Sequence, residues 1–139
     1  MDVHTKEQRS YNMSQIRSEN TKPELILYKI LKKGGIKFKR HNPIFGKPDA
    51  TLILYRVAIF IDGEFWHGKD FHSWVNKVST FWQKKIKSNI RRDRRNDRLL
   101  RKDGWHVMHI WGRRVTHDKE DKVLLRIMNF IEKTQKIPD

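Results

Sequence analysis

The chain has 139 residues, with 31 lysines and arginines against 16 acids and a formal charge of +15. That is length for one domain with one real core, and a balance that draws a polyanion, nucleic acid before any other. There is no cysteine, which excludes disulfides and thiolate metal sites and fits a reducing compartment. The polar start, MDVHTKEQRS, lacks the apolar stretch of a secretion signal, and the most apolar segment, Leu52 to Ile61, is too short to span a bilayer.

Without an internal repeat or a Gly/Ser/Pro-rich linker, residues 1–139 read as a single domain, with 1–9 a flexible arm and Ser10 to Arg17 a short helix. Thr21-Lys22-Pro23-Glu24 has the chemistry of a helix start: a capping hydroxyl, a proline in the first turn and an acid at the positive end of the dipole. Leu25, Tyr28, Ile30 and Leu31 give that helix an apolar stripe, and Gly34-Gly35 stops it. Lys37 to His41 reads as a strand and Asn42 to Lys47 as a loop. Asp49 to Leu54 and Val57 to Asp62 read as two strands of a hairpin turning at Tyr55-Arg56. After a loop over 63–79, Thr80 caps a long helix reaching Asp103 and closed by Gly104. Trp105 to Trp111 is a further strand, and Glu120 to Lys133 a last helix with Val123, Leu124, Ile127, Met128 and Ile131 inward. The order predicts an α/β fold, a mixed central sheet flanked by helices.

The hairpin carries the chemistry. Asp49 enters one strand and Asp62 leaves the next, so both carboxylates fall at the same end of the sheet. Two carboxylates there suit a hard divalent cation such as magnesium, which next to a phosphodiester would polarise the phosphoryl oxygens and acidify an attacking water. Either acid could instead be an ordinary turn residue; the dipeptide Pro138-Asp139 shows how little Pro-Asp means alone. His67 lies five residues past Asp62 and has the intrinsic pKa, near ~6.5, to move a proton at neutral pH; taken alone it reads as a partly exposed loop histidine. Phe65 and Trp66 are adjacent, so an extended chain points them to opposite faces; one could pack inward and the other stack on bases or wedge between them, and Met13 could do likewise, although for Met13 alone a core position is the stronger reading. Lys69 could meet a phosphate or simply be solvated. On the long helix Trp82, Ile86, Asn89, Asp93 and Leu100 share one side, while basic residues including Arg92 and Arg95 cover the rest. Asn89 and Asp93 could orient groups at the site or simply bind neighbouring arginines.

Four stretches in order, RSYNMSQIRSENTKPE (9–24), FGKPDATL (45–52), VAIFIDGEFWHG (57–68) and FWQKKIKSNIRRDRRNDRLLRKDGWHVMHIW (81–111), resemble the very short patch repair (Vsr) endonucleases over nearly the whole chain. The resemblance implies a restriction-endonuclease-like fold of the PD-(D/E)xK type. It also implies a bacterial, nucleoid-associated cytoplasmic enzyme that uses Mg2+ to nick duplex DNA at a T:G mismatch. It makes Asp49 the metal-binding acid, the Ile61 carbonyl a backbone ligand, His67 a general base and Glu24 an acid supporting the metal through water. Phe65, Trp66 and Met13 match the residues that wedge into DNA, and Asn89, Arg92 and Arg95 fall in the DNA-facing helix. Double-stranded DNA is the implied partner, with mismatch-repair proteins as a further candidate, a monomer as the working form, and no membrane.

Two departures stand out. Asp62 replaces a histidine of the well-known family member, bringing a second carboxylate to the metal and leaving more of the proton transfer to His67. The cysteine-ligated structural zinc of the best-known members cannot form here: Glu64 and Arg113 stand near two of its positions. Packing by Phe71, Trp74 and Trp82 is expected to hold the 63–79 loop instead. These departures touch mismatch specificity more than cleavage chemistry, so a site-specific restriction or homing-type endonuclease stays open. A DNA-binding module without catalysis and a ribonuclease are the other readings; Asp49, Asp62 and His67 together argue against the former.

Overall fold

The computed structural model describes residues 21–63 and 80–135. Helix α1 (Lys22–Lys33) opens at Thr21 with Pro23 in its first turn, and ends where Gly34 caps it and Gly35 turns left-handed. A mixed four-stranded sheet follows, in the order β1 (Lys39–Arg40), β2 (Ala50–Leu52), β3 (Val57–Asp62), β4 (His106–Trp111). The first three strands are antiparallel neighbours, and β3 and β4 run parallel from Val57↔His106 to Asp62↔Trp111. The crossover between them is helix α2 (Thr80–Lys102); α3 (Gly112–His117) and α4 (Glu120–Thr134) complete the chain. This mixed sheet between helices is the architecture the sequence predicts.

Strand alternation sorts the side chains onto two faces. On one, Val57, Ile59, Met108 and Ile110 meet Leu27, Tyr28, Ile30 and Leu31 of α1, Val115 of α3, and Val123 and Ile127 of α4. Each fully buried aliphatic side chain there contributes roughly 1.5–3 kcal/mol. On the other face Ala58 and Val107 meet Leu100 of α2 and Trp105, with Ile44 and Phe60 at the margin. Asp62 and His109 fall on this second face by the same alternation.

Several expected boundaries shift. The strands expected at Lys37–His41 and Asp49–Leu54 shrink to two and three residues. The second is cut short by a 3-10 turn, Ile53–Tyr55, which Arg56 closes in the left-handed region (φ 57°). Thr80 is the first residue of α2 itself. The stripe of α1 is rotated from expectation, since Leu25 is exposed while Leu27 is buried. Met128 of α4 likewise faces out, and Val123 and Ile127 carry its core contact. Helix α3 has no counterpart among the expected elements. The arm 1–9, the helix expected at 10–17 and most of the 63–79 loop, with Phe71 and Trp74, lie outside the described residues.

Gly46 shows why the FGKPD stretch has its sequence. It holds a left-handed φ of 83°, which costs glycine nothing. A Cβ there would press 3.3 Å from Leu100 Cδ1 and 3.5 Å from Phe60 Cζ. The loop can therefore tuck under α2 and lead directly into Asp49.

Candidate active site

Because β2 runs against β3, the start of β2 and the end of β3 coincide, and the Asp49 N–H donates to the Ile59 carbonyl (2.9 Å). Asp49 Oδ2 accepts the Ile61 N–H at 2.7 Å, which ties the acid across the hairpin. Ligand sites of open sheets with parallel strands gather at the strands' carboxyl ends, and this is where Asp49 and Asp62 lie. An open cleft of about 960 Å³ runs between the 41–49 loop and α2, with Asp49, Phe60, Ile61, Asp62, Arg92, Asp93, Asn96, Asp97 and His109 in its wall.

Glu24 is 4 % exposed in the first turn of α1, close enough to the Asp49 carboxyl to raise its pKa. Burial is the main force on Asp49 and pushes its pKa up; the Ile61 N–H pulls it down, and Glu24 and Asp62 raise it again, to about 7. Behind the acids, the Tyr28 hydroxyl donates to the Asp49 carbonyl (2.9 Å) and lies 3.3 Å from His41 Nε2. Burial, with Glu24 and Asp49 adding to it, raises the Tyr28 pKa and keeps the phenol neutral. His41 Nε2 in turn lies 3.4 Å from Glu24 Oε2.

Sequence reasoning passed over His109 and Asp97. His109 sits mid-strand in β4, its Nδ1 2.7 Å from Asp62 Oδ2 and its Nε2 2.7 Å from Asp97 Oδ2 on α2. Ionised carboxylates only accept, so both ring nitrogens donate and the ring is an imidazolium. Burial alone would lower the His109 pKa; the bonds and charges of Asp62 and Asp97 outweigh it and lift the value to about 9. One clue was legible: Asn89, Asp93 and Asp97 recur every four residues along one side of α2, polar positions inside an otherwise apolar stripe.

Of the residues the sequence singled out, Glu24, Asp49, Ile61 and Asp62 come together at this one end of the sheet. Arg92 lines the cleft and also a second groove, about 440 Å³, formed by Ser88, Arg91, Arg94, Arg95 and Arg98 on the outer side of α2. Asn89, grouped with the DNA-binding residues, is buried (6 % exposed) on the side of α2 that it shares with Trp82 and Ile86. Met13, Phe65, Trp66, His67 and Lys69 lie outside the described residues. Among the described residues no three His, Asp or Glu side chains form a ready metal cage. Asp49 and Asp62 still offer the hard oxygens a divalent cation prefers, and magnesium is commonly held by one or two carboxylates and several waters. The absence of cysteine leaves no thiolate zinc site.

This mixed sheet between helices is a restriction-endonuclease-like fold. It is similar to the catalytic domain of the homing endonuclease I-Bth0305I, with a TM-score of 0.58 at 22 % identity over 84 % of this chain and all of that one. A profile of the family "DNA mismatch endonuclease Vsr" matches residues 1–73. The type II nicking enzyme V.NmeDIP of Neisseria meningitidis serogroup C is 42 % identical over 81 % of this chain and 78 % of its own. The nicking enzyme V.HpaIIP of Haemophilus parainfluenzae is 39 % identical over 94 % and 96 %. DNA mismatch endonuclease Vsr of Escherichia coli (strain K12) is 37 % identical over 79 % and 72 %. The chain belongs to the Vsr family of DNA endonucleases. Among the described residues no helix is long and apolar enough to cross a membrane.

Proposed function

We propose that this endonuclease nicks one strand of duplex DNA at a T:G mismatch, with magnesium as its cofactor. The observation that carries the reading is the convergence of Glu24, Asp49 and Asp62 at one sheet end, where burial and mutual repulsion hold Asp49 near pKa 7. A divalent cation bound beside Asp49 would offset the burial and repulsion that raise its pKa. The nicking and mismatch activities named for the relatives support the same chemistry.

Asp49 and Asp62 would hold the ion through side-chain oxygens, with the Ile61 carbonyl as a backbone ligand. Bound there, magnesium would polarise the scissile phosphate and lower the pKa of the attacking water. Glu24 supports the metal through water from beside Asp49. His67 is assigned the general base. The arginine groove, with Arg92 and Arg95, binds phosphates on the same side of the sheet as the acids. Met13, Phe65 and Trp66 open the duplex beside the mismatch, and Lys69 supplies a further phosphate contact. Asn89, from within the protein, braces the helix that presents the arginines.

The reading is tested with end-labelled duplexes carrying T:G, other mismatches or full pairing, and an RNA duplex, each incubated with magnesium or EDTA. A single nick in the T:G duplex, present only with magnesium, is expected. Equal cutting of the fully paired duplex would refute mismatch direction and leave a site-specific endonuclease. Undiminished cutting in EDTA would refute the metal.

A further inference from the structure

We infer that His109 is a positioning residue for Asp62, clamping that carboxylate from an anchor, Asp97, on the arginine-bearing helix. The inference deepens the metal-dependent reading above and rests on it. The ring of His109 is fixed in every direction that matters. Nδ1 and Nε2 are each 2.7 Å from a carboxylate oxygen, one on β3 and one on α2. Its face stacks on Phe60, with ring centroids 5.1 Å apart and planes 17° from parallel. Phe60 and His109 are register partners across β3 and β4, so the sheet itself sets that stack.

An imidazole bonded at both nitrogens and stacked on a face cannot rotate about its side-chain bonds without breaking one of these contacts. Asp62 Oδ2 is therefore fixed, and with it the plane in which the carboxylate's remaining lone pairs lie. Asp62 and Asp49 share one cleft wall, so the orientation of Asp62 decides whether the two can serve one ion. Groups that hold a metal's ligands in place are energetically coupled to the metal, and removing one typically costs about 10–100-fold in affinity or activity. Asp97 adds a further consequence. It stands on the helix whose outer side carries Arg94, Arg95 and Arg98. Phosphate contact on one side of α2 and carboxylate alignment on the other thus share one rigid element.

The test measures Mn2+ binding by calorimetry on the full chain without DNA, beside kcat and KM on the T:G duplex. His109→Asn is expected to weaken Mn2+ binding and lower kcat, each by about 10–100-fold, while KM for duplex stays within about twofold. Asp97→Asn, which leaves the ring on Asp62, is expected to shift the same quantities less. Asp97 acts through His109, so the double variant should be no worse than His109→Asn alone. Unchanged Mn2+ affinity in His109→Asn, or additive losses in the double variant, would overturn the inference; so would a rise in KM with kcat intact. If His109→Asn does not fold, Asp97→Asn alone decides by its Mn2+ affinity and kcat. Full activity in His109→Asn beside an inert Asp49→Ala would remove this inference only. A wild-type chain that binds no Mn2+ and cuts in EDTA would remove the metal-dependent reading as well.

Discussion

The two faces of the sheet are built from alternate residues of the same strands, yet they do opposite work. Val57, Ile59, Met108 and Ile110 look toward α1, α3 and α4 into a continuous aliphatic layer. Phe60, Asp62 and His109, one position over, look toward α2 into an open, charged cleft. Apolar burial on the first face offsets ionisable groups held at uncomfortable positions on the second. Stability and chemistry are thus separable by a one-residue step along a strand, and substitutions on the two faces should behave differently.

The largest separation is expected at Asp49. Asp49→Asn should lower cleavage on the order of 10³-fold, since the ion's transition-state stabilisation is worth several kcal/mol. It should also raise the Tm of the metal-free protein by about 3 °C, because an acid with a raised pKa destabilises the fold once ionised. Single-turnover rates and thermal melts in EDTA check the pair of effects; a fall in Tm alongside lost cleavage would break the contrast between faces. Ile59→Ala, at a site with no solvent exposure, should show the reverse, losing about 2–5 kcal/mol of stability. Its cleavage rate per folded molecule, measured well below its Tm, should stay near wild type.

The third test concerns the outer groove. Arg92→Ala and Arg95→Ala should each reduce the slope of log K against log salt by about 0.9 if each residue neutralises one phosphate. Binding titrations across salt concentrations measure this, and an unchanged slope would take that arginine off the DNA path. The smallest effect is in pH. His109 has a folded pKa of about 9, raised above its ordinary value. Its contribution to stability is therefore whole below ~6.5 and is lost as pH rises through about 9. Asp49 adds a loss of the same sign between its ordinary carboxylate range and about 7. Metal-free Tm should fall steadily as pH climbs through both windows, and His109→Asn should flatten only the upper one.

Much of this was legible in the sequence where the cause is local. Pro23-Glu24 at a helix start, the apolar run Val57–Ile61 and the stripe of Val123 and Ile127 each specify an element within a few turns or a few strand residues. The meeting of Asp49 and Asp62 was legible too, because a tight hairpin leaves two strands no other way to pair. Helix α3 was not: six residues with no capping side chain carry no periodicity, and Val115 buried against the core holds them in place. The shortening of β2 was equally hidden, since Leu52–Tyr55 alternates no differently when it curls into a 3-10 turn.

Composition and spacing by themselves determined a basic, cysteine-free α/β chain with two acids at one sheet end and a helix crowded with arginine. Only the tertiary structure decided that His109 joins Asp62 to Asp97. The physical reason is range. Periodicity and hairpin geometry act between residues close in sequence, whereas His109 and Asp62 are 47 positions apart. They become neighbours only when the α2 crossover lays β4 parallel to β3, a choice made by packing of whole elements that no local pattern contains.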